Sequence, residues 1–396
     1  MSLTDTPNAN RLHIALFGRR NSGKSSLINA LTGQDIALVS NTPGTTTDLV
    51  SKAMEIQGIG PCLFIDTPGF DDEGELGELR ISRTLKAIEK TDIALLLCED
   101  TTFFHEKEIL ALLKEKNIPV IPVLNKIDIR ENSDHLATYI EEQCKIPPLL
   151  ISAKEKIGIE LIRQAILEKL PSDFGQQSIT GELVAENDLV LLVVPQDIQA
   201  PKGRLILPQV QTIRELLDKK CLVVTCTTDK FSATLQALAR PPKLIITDSQ
   251  VFKAIYEQKP KESELTSFSV LFAGYKGDIH YYVESAAVIE RLTESSRVLI
   301  AEACTHAPLS EDIGRVKLPR LLRKRIGENL QIDMVTGTDF PQDLTPYSLV
   351  IHCGACMFNR KYVLSRIERA REQHIPMTNY GVAIAFLNGI LDQIKY

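Results

Sequence analysis

The segment Gly18-Arg19-Arg20-Asn21-Ser22-Gly23-Lys24-Ser25 constrains this chain more than any other stretch. It fits G-x-x-x-x-G-K-[ST], directly follows the apolar run Leu12–Phe17 and opens a helical pattern over Ser26–Thr32. A glycine-rich turn between strand and helix aims backbone N–H groups, and the positive end of the helix, at one point. That point suits phosphate oxygens, and the strand–turn–helix order separates the motif from a chance glycine-rich loop. Gly18, Ser22, Gly23 and Ser26 are expected to line the cradle. Lys24 is expected to reach the outer phosphates of a nucleoside triphosphate, and the Ser25 hydroxyl to bind Mg2+.

Three further segments end apolar runs. Asp66-Thr67-Pro68-Gly69 follows Cys62–Ile65, where the carboxylate can hold Mg2+ through water and the Gly69 N–H can sense the γ-phosphate. Asn125-Lys126-Ile127-Asp128 follows Val120–Leu124, and Asp128 there can accept two hydrogen bonds from guanine. A P-loop alone admits ATP or GTP; this aspartate selects GTP. Ser152-Ala153-Lys154 follows Leu149–Ile151 and is placed to close over the base. In open α/β sheets such strand C-ends are where ligands bind. Pro43-Gly44-Thr45-Thr46-Thr47-Asp48 is suited to order–disorder switching, with Thr46 as the second Mg2+ ligand.

At 396 residues the chain is expected to hold two or three domains. Short apolar runs alternate with amphipathic helical stretches, a pattern of α/β folds with mainly parallel sheets. The expected fold is a P-loop domain over 1–173, followed by two further α/β domains over 180–260 and 265–396. Strands are expected at Ile93–Leu97, Leu189–Val194, Cys221–Thr225, Leu244–Thr247, Ser269–Ala273, Val298–Ala301, Ile332–Val335 and Ser348–Ile351. The formal net charge of −6 argues against a general nucleic-acid binder. No apolar run reaches transmembrane length, and Met1–Asn10 lacks the order of a signal peptide, so a cytoplasmic protein with no membrane partner is expected. Its eight cysteines are then buried small residues or metal ligands rather than a disulfide framework.

Cys62, Cys98 and Cys221 lie in apolar runs and read as core. Cys304-Thr305-His306 and His352-Cys353-Gly354-Ala355-Cys356 do not. Each follows a strand-like run, so the thiols and imidazoles converge if the two strands are close in one sheet. A helix beginning near Asn359 favours the thiolate form, which is the ligating one. Redox dithiol, structural zinc and an iron–sulfur cluster held by three cysteines all use such groups, and the spacing leaves zinc and iron–sulfur both open. The basic stretch Lys317–Arg325 has leucines at helical spacing and reads as a solvated helix face or a docking surface for an acidic partner.

Residues 11–171 resemble a translation-factor-class GTPase, nearest the MnmE and Era families. The loop has Thr-Thr-Thr-Asp where that group usually has Thr-Thr-Arg-Asp, and Phe70 stands where Ras-like proteins have glutamine. Asn21 matches the position that binds K+ in MnmE-like GTPases. The resemblance implies slow, potassium-stimulated GTP hydrolysis, with Lys24, Asn21, Thr46 and Gly69 in the catalytic roles. Over its whole length the chain is similar to the iron–iron hydrogenase maturation GTPases, the HydF family. That similarity implies a homodimer joined through its middle domain, and a four-iron four-sulfur cluster on Cys304, Cys353 and Cys356. His306 and His352 are then candidates for a labile fourth position. It further implies a scaffold that carries a diiron precursor made by the radical-SAM maturases HydE and HydG and delivers it to apo iron–iron hydrogenase. The rival reading is an MnmE- or Era-like GTPase acting on tRNA or ribosomes, with a structural zinc site.

Overall fold

Most short apolar runs bounded by turn residues become strands, as their length favours. In the first unit, Met1–Gln176, these are β1 (Leu12–Gly18), β2 (Val50–Ile56), β3 (Gly60–Asp66), β4 (Ile93–Cys98), β5 (Val120–Leu124) and β6 (Leu149–Leu150). The computed structural model describes residues 6–32, 50–56, 58–68, 83–171, 174–175, 177–195, 205–303 and 313–396. The sheet order is β2-β3-β1-β4-β5-β6, parallel except for the antiparallel edge strand β2, which the sequence pattern did not announce. Successive side chains of β1 point to opposite faces. Leu12, Ile14 and Leu16 pack with α1 (Lys24–Thr32) and the later helix Ile159–Glu168. Ala15 and Phe17 pack with α2 (Phe104–Glu115) and α3 (Ser133–Cys144). A parallel sheet buried on both faces leaves function to the loops at its strand C-ends.

The second unit, Gln177–Tyr396, holds two parallel four-stranded sheets. One has the order β10-β9-β7-β8, from β7 (Leu189–Val193), β8 (Leu222–Cys226), β9 (Leu244–Thr247) and β10 (Glu264–Ser267). The other has the order β12-β11-β13-β14, from β11 (Arg297–Glu302), β12 (Gln331–Thr336), β13 (Leu349–His352) and β14 (Met377–Asn379). One apolar cluster draws Leu191 and Ile245 from the first sheet together with Leu299, Val350 and Ile394 from the other half, so the sheets share a core.

The strand expected at Ser269–Ala273 is instead helical, within Phe268–Lys276. An apolar run of that length fits either period. The Ser267 side chain decides it: it accepts a hydrogen bond from Val270 N at 3.2 Å and caps a helix. Being apolar on nearly every side, this helix is buried among its neighbours. The basic stretch forms the helix Leu318–Ile326, with Leu318 and Leu322 in the core. No helix among the described residues is long and apolar enough to cross a membrane.

Candidate functional site

In the first unit β1, β4 and β5 lie side by side, so the loops after β1 and β5 share one edge of the sheet. Asn125 ties them together. Its Nδ2 donates to Ser22 O at 3.0 Å, and its Oδ1 accepts from Lys126 N at 2.8 Å and Ala153 N at 3.0 Å. One buried amide therefore joins the P-loop, the Asn125–Asp128 segment and the Ser152–Lys154 segment. Gly23 adopts φ +89°, and a Cβ there would collide with the Asn125 amide, so glycine is required twice over.

Lys24 is buried, and its Nζ donates to Gly18 O at 2.8 Å and Arg19 O at 2.7 Å, closing the loop on itself. Ser25 Oγ donates to Asp66 Oδ2 at 2.7 Å. Burial raises the Asp66 carboxyl above its usual range, against the Ser25 hydrogen bond and the nearby Lys24 charge. Its Oδ1 is buried and has no hydrogen-bond partner among the described residues, as has the Ser22 hydroxyl. A desolvated carboxylate oxygen beside a serine hydroxyl is a donor set that fits a hard cation such as Mg2+.

Asp128 is exposed in the turn Ile127–Ile129, and a hydrogen bond from Ser152 holds its carboxyl below the usual range. It is ionised at neutral pH and free to accept hydrogen bonds from a base. Lys126 takes the left-handed conformation and pairs with Glu99 at 3.1 Å, which turns the backbone between Asn125 and Asp128. Sequence reasoning passed over Arg19. Its guanidinium pairs with Asp100 at 3.0 Å and Glu106 at 2.9 Å, bracing the P-loop against the residues after β4. Thr46, Gly69 and Phe70 lie outside the described residues, as do Cys304 and His306.

In the second unit β11 pairs with both β12 and β13, with Ala301 opposite His352. The chain runs from β11 to one side and then crosses to the other, so the gap between β11 and β13 is a switch point, where open α/β sheets bind ligands. The segment His352–Cys353 leaves the sheet there, and β11 ends at Glu302, two residues before Cys304 in sequence. Cys353 Sγ accepts hydrogen bonds from Ala303 N at 3.0 Å and Ala355 N at 3.4 Å. The sulfur therefore sits against the residue preceding Cys304. Among the described residues no group of three or more His, Cys, Asp or Glu could hold a metal ion.

His352 is fully buried, and burial, reinforced by the adjacent Arg366 charge, pushes its pKa down to about 3. As a neutral ring it donates from Nδ1 to Cys353 O at 2.7 Å and accepts at Nε2 from Arg366 Nη1 at 2.8 Å. Both nitrogens are engaged, so His352 can bind iron only by breaking one of these bonds. Arg366 is itself buried and meets no carboxylate among the described residues. It donates to Gly337 O at 2.6 Å and Tyr362 Oη at 2.7 Å, and lies 4.5 Å and 4.6 Å from the Tyr362 and Phe340 ring centroids. Desolvating a guanidinium costs several kcal/mol. The hydrogen bonds together with ring contacts of about 2 kcal/mol each when desolvated offset it.

Residues 13–126 match the family model described as 50S ribosome-binding GTPase, so the first unit carries a GTPase domain that binds GTP and Mg2+. Residues 179–277 match the hydrogen maturase F dimerization domain, and residues 280–395 the hydrogen maturase F tetramerization domain. The chain belongs to the hydrogen maturase F family. Both of this family's own domains are named for self-association, and Cys304, Cys353 and Cys356 fall within the tetramerization domain. The tRNA modification GTPase MnmE of Nitrosomonas europaea is 39% identical over 174 residues, 43% of this chain and 37% of that protein. GTPase Der of Wolinella succinogenes is 35% identical over 185 residues, 43% of this chain and 38% of that protein. The chain thus spans little more than a third of the length of these curated relatives. Among solved structures, the G domain of the T. maritima FeoB iron transporter is 26% identical, with a TM-score of 0.33, covering 40% of this chain and 98% of that one. Era in complex with 16S ribosomal RNA is 19% identical, with a TM-score of 0.36, covering 58% of this chain and 98% of that one.

Proposed function

We propose that this chain is a GTP-switched scaffold for hydrogenase maturation that holds a four-iron four-sulfur cluster on Cys304, Cys353 and Cys356. Its cargo is a diiron precursor supplied by radical-SAM maturases and passed to apo iron–iron hydrogenase. The observation that carries the reading is the hydrogen bond from Ala303 N to Cys353 Sγ at the β11–β13 switch point, one residue before Cys304. Thiolates there hold iron, and a fourth coordination position not filled by thiolate stays exchangeable, as a carrier requires. His306 takes precedence over His352 for that position, because both His352 nitrogens are already engaged. Residues 1–173 form the GTPase part, 180–260 the dimerising part and 265–396 the cluster-holding part of a cytoplasmic protein. Metal and acid-labile sulfide analysis after anaerobic purification tests the reading: iron with equimolar sulfide supports it, and stoichiometric zinc without sulfide ends it.

In the nucleotide site, Gly18, Ser22, Gly23, Lys24 and Ser26 hold phosphates, and Ser25 and Thr46 hold Mg2+, with Asp66 acting through water. Asn125, Lys126, Asp128, Ser152, Ala153 and Lys154 surround the guanine. Bound Mg2+ neutralises phosphate charge. Asp128→Asn is expected to move preference from GTP towards XTP, because an amide presents an N–H donor where guanine needs an acceptor. The unmatched pair costs about 1–3 kcal/mol, or roughly 5- to 150-fold in GTP affinity. Competition between the two nucleotides reads it out, and full GTP affinity with no gain for XTP would remove Asp128 from the base site.

Potassium is the finer part of this reading. Asn21, an exposed residue of the P-loop, adopts φ +63°, a conformation asparagine tolerates, and the resemblance to MnmE-like GTPases gives it the contact to a monovalent cation beside the phosphates. Replacing K+ by Na+ is expected to slow GTP hydrolysis severalfold, and Asn21→Ala to abolish the difference. Equal wild-type rates in the two salts end the cation role.

A further inference from the structure

Lys276 is the last residue of the buried helix Phe268–Lys276 and is only 2% exposed. Its Nζ donates to Ala355 O at 3.0 Å, Cys356 O at 3.2 Å and Phe358 O at 2.7 Å. An ammonium has three N–H donors, and here each has a carbonyl of the loop that carries Cys353 and Cys356. The loop needs such a brace. Ala355 adopts φ +46°, a left-handed conformation that a Cβ disfavours and that persists only where its surroundings impose it. In that conformation Ala355 N–H turns to Cys353 Sγ, and Ala355 O also accepts from Phe358 N at 3.0 Å, closing the turn ahead of the Asn359 helix cap.

We propose that Lys276 is a positioning residue for the cluster site. It fixes the Cys353–Phe358 loop in the shape that turns Ala355 N–H onto Cys353 Sγ, and its buried positive charge lies against the backbone between Cys353 and Phe358. The charge favours an anionic occupant, thiolates and the cluster they hold alike, over a neutral dithiol. The inference rests on the cysteines holding iron, but the loop geometry can be tested without metal.

The test uses Lys276→Met and Lys276→Gln in the full chain. Met keeps the length of the side chain with neither charge nor donors; Gln keeps donors without charge. Hydrogen exchange of the metal-free protein is expected to quicken at residues 353–359 by about tenfold or more in Met and less in Gln, with other segments unchanged. After anaerobic reconstitution, both variants are expected to lose iron to a chelator faster than wild type, and their reduced-cluster EPR signal to shift. Unchanged exchange at 353–359 together with wild-type iron retention overturns the proposal. Loss of the whole fold in both variants also overturns it, because Lys276 is then a general stability residue. If wild type itself takes up no iron, the scaffold reading falls, and the exchange at 353–359 still decides whether Lys276 sets the loop.

Discussion

Single replacement of Cys304, Cys353 or Cys356 by alanine is expected to strip the chain of the iron–sulfur cluster proposed for it and of any maturation activity. Three thiolates already leave one iron of a four-iron cluster without a thiolate, and removing another leaves two irons so. Substituting partners that only orient a metal ligand costs about 10- to 100-fold in affinity, so losing a ligand outright is expected to cost more than about 100-fold. Cys226, half buried in the same unit, is the internal control, and Cys226→Ala is expected to retain wild-type iron. His306→Ala is expected to keep a cluster with an altered magnetic spectrum at the unique iron, and added imidazole to perturb the wild-type spectrum. His352→Ala also changes the spectrum, but through a different route. It removes the acceptor from buried Arg366 and the donor from Cys353 O, so it should lower thermal stability as well. Iron and sulfide counts with EPR separate these outcomes. Cysteine variants that hold as much iron as wild type would place the cluster on other residues.

Much of this could be read before any fold was known, because chemistry-bearing residues cluster at the ends of short apolar runs. The P-loop, Asp66, Asn125 and the two Cys/His segments all fall, in sequence, at the last residue of a strand or within two residues after it, where a parallel sheet puts its binding loops. What the sequence withheld is of two kinds. Sheet order is one. That β11 and β13 are neighbours depends on the chain crossing from β12 past β11 to its other side, which no local pattern encodes. The other is the burial of cations. Lys276 ends an apolar helix, where a basic residue reads as a solvated C-terminal charge. Arg366 lies in Arg360–Glu372, whose composition is that of a surface helix, yet its guanidinium is held by Gly337, Tyr362, Phe340 and His352. Such sites are formed by residues distant in sequence, and only the assembled core distinguishes them from exposed charges. The strand expected at Ser269–Ala273 failed for a local reason: the run is apolar on nearly all sides, and the Ser267 cap rather than the periodicity sets its conformation.

Lys24→Ala is expected to abolish tight nucleotide binding, the largest effect of any single change in the first unit. The ammonium is already buried and already in place, 2.8 Å from Gly18 O and 2.7 Å from Arg19 O, so a ligand phosphate meets a cation that needs no reorganisation. Removing one partner of a buried, hydrogen-bonded charge pair costs about 2–5 kcal/mol, or roughly 30- to several-thousand-fold in affinity. Ser25→Ala removes a neutral hydroxyl whose place water can take, about 1 kcal/mol, so the two variants should rank clearly. The helix Lys24–Thr32 survives the change, since alanine is the better helix former. What suffers is the P-loop, whose Gly18 and Arg19 carbonyls lose their shared donor. Arg19, anchored to Asp100 and Glu106, keeps the loop near its place. Titration of a fluorescent guanine nucleotide into the full chain, with circular dichroism as the check on folding, measures the loss. A folded Lys24→Ala protein that binds within about threefold of wild type, less than 1 kcal/mol away, would mean that the phosphates do not sit at Lys24.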